Sequence, residues 1–430
     1  MYDLTIIGAG WAGFNAAMAA KKLGFKTVLV ERSFIGGTCL NQGCIPTKAL
    51  IQSAKVFNLV KKAKTFGIDC GMSASLCLPE IQKRKDTIIT QLRRGMEFML
   101  KGTECISSEA QIISSDTVKT ARGEIKSKYI LIASGSKPVE LANLKFNKTK
   151  VISSDEIISL AAVPRALLIV GGGVIGCEFA GLFSSWGSRV TLVELSACLL
   201  PGEDRDVSRK LEAVFKKKNV TVMVNTDASS LDMSAFDVIL VCVGRKPSFA
   251  GVFAESLGLA VEKGRIVIDD YGRTNIPSIY AAGDCTGKLM LAHFAAYQGR
   301  TAVENMAMPP QLKKINPVSV PNCIFTEPEI ASVGLTEEQA AAEGIPVTVM
   351  KFDFLASGMA RILDETEGFV KIISDSSTLQ VRGAALIGPR VTELISIVTL
   401  AIEAGWTAPA LKKVIFPHPT LSESISEALS

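Results

Sequence analysis

The chain has 430 residues, about three times a typical domain, so two to four domains are expected and a lone small module is excluded. Hydrophobic residues make up 48% and charged residues 21%, which excludes a disordered or collagen-like chain. The 47 Lys plus Arg against 42 Asp plus Glu leave a charge of +5, too weak over this length to imply a nucleic-acid partner; the basic residues at 61–64 and 216–218 read as solvated helix faces.

From the N-terminus, Met1-Tyr2-Asp3 runs straight into an apolar strand pattern and leaves no room for a secretion signal. The mean hydropathy of +0.30 is high, yet no apolar run nears the roughly 18 to 20 residues of a membrane span. Most of the ten cysteines stand alone in apolar stretches, as Cys177, Cys242 and Cys323 do, which predicts reduced thiols in a cytoplasmic protein away from membranes.

The strand pattern at residues 3–7 is followed by Gly8-Ala9-Gly10-Trp11-Ala12-Gly13, an Ala-rich helical segment and a second strand ending in Glu31. The same unit recurs about 160 residues later: a strand pattern at 166–170, Gly171-Gly172-Gly173-Val174-Ile175-Gly176, a helical segment to Trp186 and a strand ending in Glu194. In both copies the acid lies 18 residues beyond the third glycine. The first glycine of such a turn permits the tight bend, the second lets a pyrophosphate approach the backbone and the third packs helix on strand. The acid accepts from a ribose diol and disfavours the extra phosphate of NADP. Two dinucleotides are therefore predicted, one at Gly8, Gly10, Gly13 and Glu31, the other at Gly171, Gly173, Val174, Ile175, Gly176 and Glu194.

Between the two copies lies Gly36-Gly37-Thr38-Cys39-Leu40-Asn41-Gln42-Gly43-Cys44-Ile45-Pro46-Thr47-Lys48. Residues five apart on a regular helix point about 140° away from each other, so a Cys39–Cys44 disulfide requires a distorted turn, which Gly43 permits. Two buried free thiols are the alternative. Pro46 suits the first position of a helix continuing as an amphipathic run to Phe66, and thiols near that helix start should be unusually acidic. A zinc site would want two more ligands close by, and none is near, so no metal is expected.

Three more apolar strands end in glycine, at residues 129–136, 238–245 and 279–284, as strands do where open α/β sheets bind ligands. Asp284 after Gly283 could cap a helix or hold a cofactor hydroxyl. The stretch from Met308 to Pro317 reads as a linker into an α+β unit. Strands are expected there near Cys323–Phe325, Val347–Phe352 and Phe369–Ile373, and helices near Thr336–Glu343 and Thr392–Gly405.

The Gly-Gly-Thr-Cys-x4-Cys-Ile-Pro-Thr-Lys run, with His418-Pro419-Thr420-Leu421-Ser422-Glu423 near the C-terminus, resembles the FAD-dependent pyridine nucleotide-disulfide oxidoreductases, most closely their dihydrolipoyl-oxidising members. The likeness covers nearly the whole chain. It includes Ala133-Ser134-Gly135-Ser136, Val243-Gly244-Arg245, Ala282-Gly283-Asp284, Met290-Leu291-Ala292-His293, Thr326-Glu327-Pro328-Glu329 and Val333-Gly334-Leu335-Thr336.

The resemblance implies an α/β flavoprotein with two Rossmann-like dinucleotide-binding domains and a C-terminal α+β dimerisation domain. Residues 1–145 and 249–313 would form the FAD domain, 146–248 the NAD domain and 314–430 the dimerisation domain. FAD would lie against the first fingerprint with Gly37, Thr38, Lys48, Ala110, Ser134, Gly135, Asp284, Leu291, Ala292 and His293, and NAD against the second with Val243 and Gly244. Cys39 would exchange disulfides with substrate and Cys44 would face the flavin. A Lys48–Glu178 pair would sit near the flavin, and His418, oriented by Glu423, would act as base from the other subunit of a homodimer. The implied reaction is oxidation of dihydrolipoyl groups on a carrier protein of a 2-oxo acid dehydrogenase complex or a glycine cleavage system, with NAD reduced. A related NAD(P)H-dependent reductase of another disulfide and a non-catalytic redox-sensing flavoprotein are the alternatives. The chain departs from its relatives at Trp11, where Pro is frequent, at Ser134 for Thr, at Phe416 for a second His, and in the short connection 225–237.

Overall fold

The computed structural model describes residues 1–71, 74–308 and 310–430. Strand Tyr2–Ile7 lies parallel between Thr27–Glu31 and Gly123–Ile132, and Glu104–Ser107 extends the sheet beyond Thr27–Glu31. Leu4, Ile6, Val28, Leu29, Ile130 and Leu131 are buried along these strands, the near-continuous apolar run of a parallel sheet covered on both faces. Ile7 pairs with both Val30 and Ile132, so the three strands end level and present Gly8, Glu31 and Ala133 along one edge. Helix Trp11–Lys22 follows the first glycine turn.

The second fingerprint organises a separate parallel sheet, in the order Thr221–Met223, Arg189–Val193, Ala166–Val170, Val238–Val241, Val151–Ile152. An antiparallel pair, Ser136–Pro138 with Arg245–Pro247, joins the two sheets where the chain leaves the first and returns to it. Strand Ile279–Ala281 then adds to the first sheet beside Gly123–Ile132, and helix Ala292–Ala307 packs on Trp11–Lys22. Gly299 makes that contact possible, since a Cβ there would stand 2.1 Å from the Ala12 carbonyl oxygen.

The short connection holds two 3-10 turns, Ala228–Ser230 and Met233–Ala235, in which the N–H groups of Ser229 and Ser234 donate to the side chains of Asp227 and Asp232. Leu231, Met233 and Phe236 pack against Leu144, Leu168 and Val241 and close the side of the sheet.

Pro309, within the expected linker, lies outside the described residues. The C-terminal unit is a five-stranded antiparallel sheet, ordered Asn322–Ile324, Glu329–Gly334, Val381–Gly388, Phe369–Asp375, Val347–Asp353. Helices Val391–Glu403 and Glu423–Ala428 share a core with it. The expected helix at 336–343 is Glu337–Ala342, opened by a Thr336–Gln339 capping box. Lys371, 3% exposed, reaches from this sheet to Asp204 at 3.0 Å and Asp206 at 2.8 Å, at the start of helix Arg205–Lys217 in the second unit.

Candidate active site

Both fingerprints open onto one cleft of about 1490 Å³. Gly8 and Gly171 turn at φ +101° and +111°, and a Cβ on either would run into the neighbouring strand, 2.4 Å from the Ala133 oxygen and 2.7 Å from the Cys242 oxygen. A Cβ on Gly173, by contrast, would meet nothing within 4 Å. Helices Trp11–Lys22 and Val174–Ser185 start at Gly10 and Gly173 without a side-chain cap, leaving first-turn N–H groups for an anion. Gly13 and Gly176 do not line the cleft; they press helix on turn, 1.8 and 1.9 Å being all that a Cβ would have to the Gly8 and Gly171 oxygens.

The two acids are held alike. Glu31 accepts from the N–H groups of Ala9 at 2.7 Å and Ser33 at 2.8 Å, and Glu194 from those of Gly172 at 2.6 Å and Ser196 at 2.7 Å. Against the burial that opposes it, the Glu194 carboxyl is kept below its ordinary pKa by these backbone donors.

Between the cradles the chain breaks as the cysteine spacing requires. Helix Gly37–Asn41 carries Cys39 and stops at Gln42, and helix Cys44–Lys61 begins after Gly43. The second helix starts two residues earlier than expected, which makes Cys44 its first residue and Pro46 its third; Pro46 still falls in the turn whose N–H groups have no helical acceptor. The regular helix ends at Lys61, and a 3-10 turn covers Ala63–Phe66.

Cys39 and Cys44 are both thiols here, and they are unequal. Hydrogen bonding from Cys39, followed by the Lys48 charge, lowers the Cys44 pKa to about 7 against burial and Glu178. Cys39, the donor, is pushed well up. Cys44 is thus the thiolate of the pair and Cys39 the thiol.

Lys48 donates to both Glu178 oxygens at 2.8 Å, and the Phe325 N–H donates to Glu178 at 2.9 Å. Burial opposes the Lys48 charge, but Glu178 and the Cys44 thiolate hold its pKa above the ordinary value. Lys48, Glu178 and Phe325 come from the three units, which therefore meet at this pair.

Asp284 does not act as a cap; it accepts from Ser136 Oγ at 2.6 Å, and Arg245 donates to that hydroxyl at 2.9 Å and lies 3.6 Å from Asp155. The Ser134 hydroxyl in the same wall is buried and has no hydrogen-bond partner among the described residues, as suits a site that a polar cofactor completes. With Gly37, Thr38, Ala110, Gly135, Leu291 and Ala292 lining one half of the cleft and Val174, Ile175, Val243 and Gly244 the other, the residues fit a dinucleotide in each half.

Besides Gly13 and Gly176, three expected site residues lie outside the cleft. The His293 ring leaves the cleft, its Nε2 2.8 Å from the Pro321 carbonyl oxygen, and burial lowers its pKa. His418 and Glu423 pair at 2.8 Å on the surface of the C-terminal unit, with the His418 side chain 82% exposed and neither residue lining the cleft. The Thr420 N–H and then His418 keep the Glu423 carboxyl below its ordinary pKa.

The cleft also contains residues that no motif marks. Arg93 stacks on Phe34 at 4.2 Å and donates to Asn41, and Asp227 enters from the short connection. Among the described residues, no cluster of three or more His, Cys, Asp or Glu side chains could hold a metal, and no helix is long and apolar enough to cross a membrane.

Residues 2–299 match the model of the pyridine nucleotide-disulphide oxidoreductases, and residues 320–429 match that family's dimerisation domain. The chain belongs to this family. Among curated oxidoreductases of the family, it is 38% identical to a dihydrolipoyl dehydrogenase of Bacillus subtilis over 99% of this chain and 97% of that one. It is also 38% identical to one of Chlamydia muridarum, over 99% and 96%. Among solved structures, LpdA from Mycobacterium tuberculosis superposes with a TM-score of 0.92 at 28% identity, covering 99% of both chains. The HOCl-induced flavoprotein disulfide reductase RclA from Escherichia coli superposes at 0.88 and 29% identity, covering 100% of this chain and 99% of that one. In this oxidoreductase the C-terminal sheet and its helices are accordingly the dimerisation unit, and the two sheets before it carry the nucleotide cradles.

Proposed function

We propose that this oxidoreductase is a dihydrolipoyl dehydrogenase, oxidising dihydrolipoyl groups on a carrier protein and reducing NAD, with FAD bound at the first cradle. The observation that carries the reading is the unequal thiol pair, Cys44 acidic and Cys39 not, set between two acid-tipped dinucleotide cradles. Residues 1–145 and 249–313 serve FAD, 146–248 serve NAD and 314–430 pair the subunits. Glu194 favours NAD over NADP because a carboxylate repels a 2′-phosphate.

His418, outside the cleft of its own chain, serves that of the second subunit, where it takes the proton from a substrate thiol while Glu423 fixes its ring. The substrate thiolate attacks Cys39 of the oxidised pair; a bond forms between substrate sulfur and Cys39, the Cys39–Cys44 bond breaks, and Cys44 leaves as a thiolate stabilised by Lys48. The second substrate thiolate then closes the lipoyl ring and releases Cys39. Bound FAD supplies the two-electron relay from the dithiol to NAD. The free thiols, among them exposed Cys70, Cys77 and Cys105, suit a reducing cytoplasm.

Anaerobic stopped-flow of the holoenzyme, first with dihydrolipoamide and then with NAD, tests both halves. A long-wavelength absorbance that appears with substrate, is missing in Cys44→Ser and is followed by NADH supports the assignment. Flavin reduced by NADH but inert to dihydrolipoamide would overturn the substrate and leave a reductase of another disulfide.

A further inference from the structure

Helix Leu78–Met99 carries two adjacent arginines in different surroundings. Arg94 is exposed, whereas Arg93 is half-buried and lines the cleft. The Arg93 guanidinium is fixed on two sides. It lies over the Phe34 ring at 4.2 Å, and its Nε and Nη2 donate to Asn41 Oδ1 at 3.1 and 2.6 Å. Asn41 is tied in turn to the segment beside it, its Nδ2 donating to the carbonyl oxygens of Ile35 at 3.1 Å and Gly37 at 2.8 Å. That segment rests on the first fingerprint turn. The Gly36 N–H donates to the Ala9 carbonyl at 2.8 Å, and a Cβ on Gly37 would stand 2.7 Å from the Cα of Gly10, where helix Trp11–Lys22 starts without a side-chain cap. A short chain of contacts thus ties one guanidinium to the anion end of the first cradle.

These contacts hold Arg93 without neutralising it. Of its five N–H donors, the two that are bonded among the described residues go to a neutral amide. The other half-buried cations of the cleft differ, Lys48 being paired with Glu178 and Arg245 lying 3.6 Å from Asp155. Glu31, the acid of the same cradle, is engaged with the backbone N–H groups of Ala9 and Ser33. A cation drawn out of water into a cleft and left without a counter-charge is stabilised when an anion enters. We propose that Arg93 is an FAD-binding residue of this chain, its free N–H groups holding the cofactor's diphosphate together with the N-terminus of helix Trp11–Lys22. The proposal rests on FAD occupying the first cradle and on nothing about the disulfide substrate. The helix end supplies N–H groups and a partial charge; the guanidinium adds a full charge in a planar fork, which suits phosphate oxygens better than an ammonium does.

The test is the rate at which the holoenzyme releases FAD, measured as flavin passing an ultrafiltration membrane after dilution into increasing NaCl, for wild type, Arg93→Gln, Arg93→Lys and Glu31→Ala. At low salt Arg93→Gln should release FAD about tenfold to a hundredfold faster than wild type. Arg93→Lys should fall between them, and the gap between wild type and Arg93→Gln should narrow as salt screens the charge. Wild-type release from Arg93→Gln overturns the proposal. So does equal loss from the Gln and Lys variants with a gap indifferent to salt, because Arg93 then only props Asn41. If Arg93→Gln is isolated without flavin, Arg93→Lys decides: it should retain flavin that salt releases, and a flavin-free Lys variant overturns the proposal. Glu31→Ala separates the proposal from its premise. Unchanged release there removes FAD from the first cradle, whereas faster release there with none in Arg93→Gln overturns the role of Arg93 alone.

Discussion

The acidity of Cys44, the first residue of its helix, is set mainly by three side chains from three helices, working against burial. Cys39 donates to it, Lys48 lies one turn on, and Glu178 partly offsets that lysine. With a folded pKa of about 7 beneath the ordinary 9.0, the thiolate exists above that pH and is lost as pH falls through it. In reduced enzyme, thiolate absorbance should therefore titrate near neutrality, and Lys48→Met should move the midpoint upward by about one unit or more. His418→Gln, which keeps size and removes the proposed base, should slow dihydrolipoyl oxidation by about 10² to 10⁴-fold while NADH-driven reduction of an artificial acceptor persists. The glycines, the acids and the cysteine pair could be read in the sequence because their chemistry depends on local spacing. Partners such as Ser136 with Asp284, 148 residues apart, or Arg93 with Asn41, 52 apart, leave no periodic trace and become visible only when the strands are assembled.

Between elements, the most buried lysine among the described residues is Lys371, which fastens the C-terminal sheet to the helix start at Asp204 and Asp206, with Glu337 as a third partner. Lys371 and Asp204 are 3% and 1% exposed, so removing the ammonium strands a carboxylate away from water. Lys371→Ala should cost about 3 to 5 kcal/mol, read as a fall in the urea midpoint of the unit's unfolding. The bond to Lys371 chiefly holds the Asp206 pKa below its ordinary value, with burial opposing it. The stability it provides is thus complete above the usual carboxylate range and is lost only as pH falls beneath it. The strands expected near 323, 347 and 369 stand as Asn322–Ile324, Val347–Asp353 and Phe369–Asp375, because β-branched runs between turn residues mark strands well. The helix expected to open at Pro46 begins instead at Cys44; proline is allowed anywhere in the first turn, so it signals a start without fixing the residue.

At the scale of the whole molecule, the first sheet is interrupted after Gly123–Ile132 by the complete second sheet and resumed at Ile279–Ala281. This insertion brings two cradles to one cleft and leaves the surface pair His418–Glu423 outside it. The sequence repeat foretold the two cradles, but the position of His418 depends on how a whole sheet is docked, which no local pattern records. If His418 serves the second subunit as proposed, a single chain has both nucleotide sites and both thiols without the base, and dimerisation should separate the two proposed activities. Ile415, three residues before His418 and 95% exposed, is an apolar side chain in the dimerisation unit with water as its alternative to a partner. Ile415→Asp should weaken the dimer, shifting the sedimentation coefficient toward the monomer at low concentration. In the monomeric fraction, oxidation of dihydrolipoamide should fall with the dimer population, whereas flavin content and NADH-driven reduction of a quinone should be retained, since each needs only the cleft of one chain. A monomer that still oxidises dihydrolipoamide at the wild-type rate would show that His418 serves its own cleft.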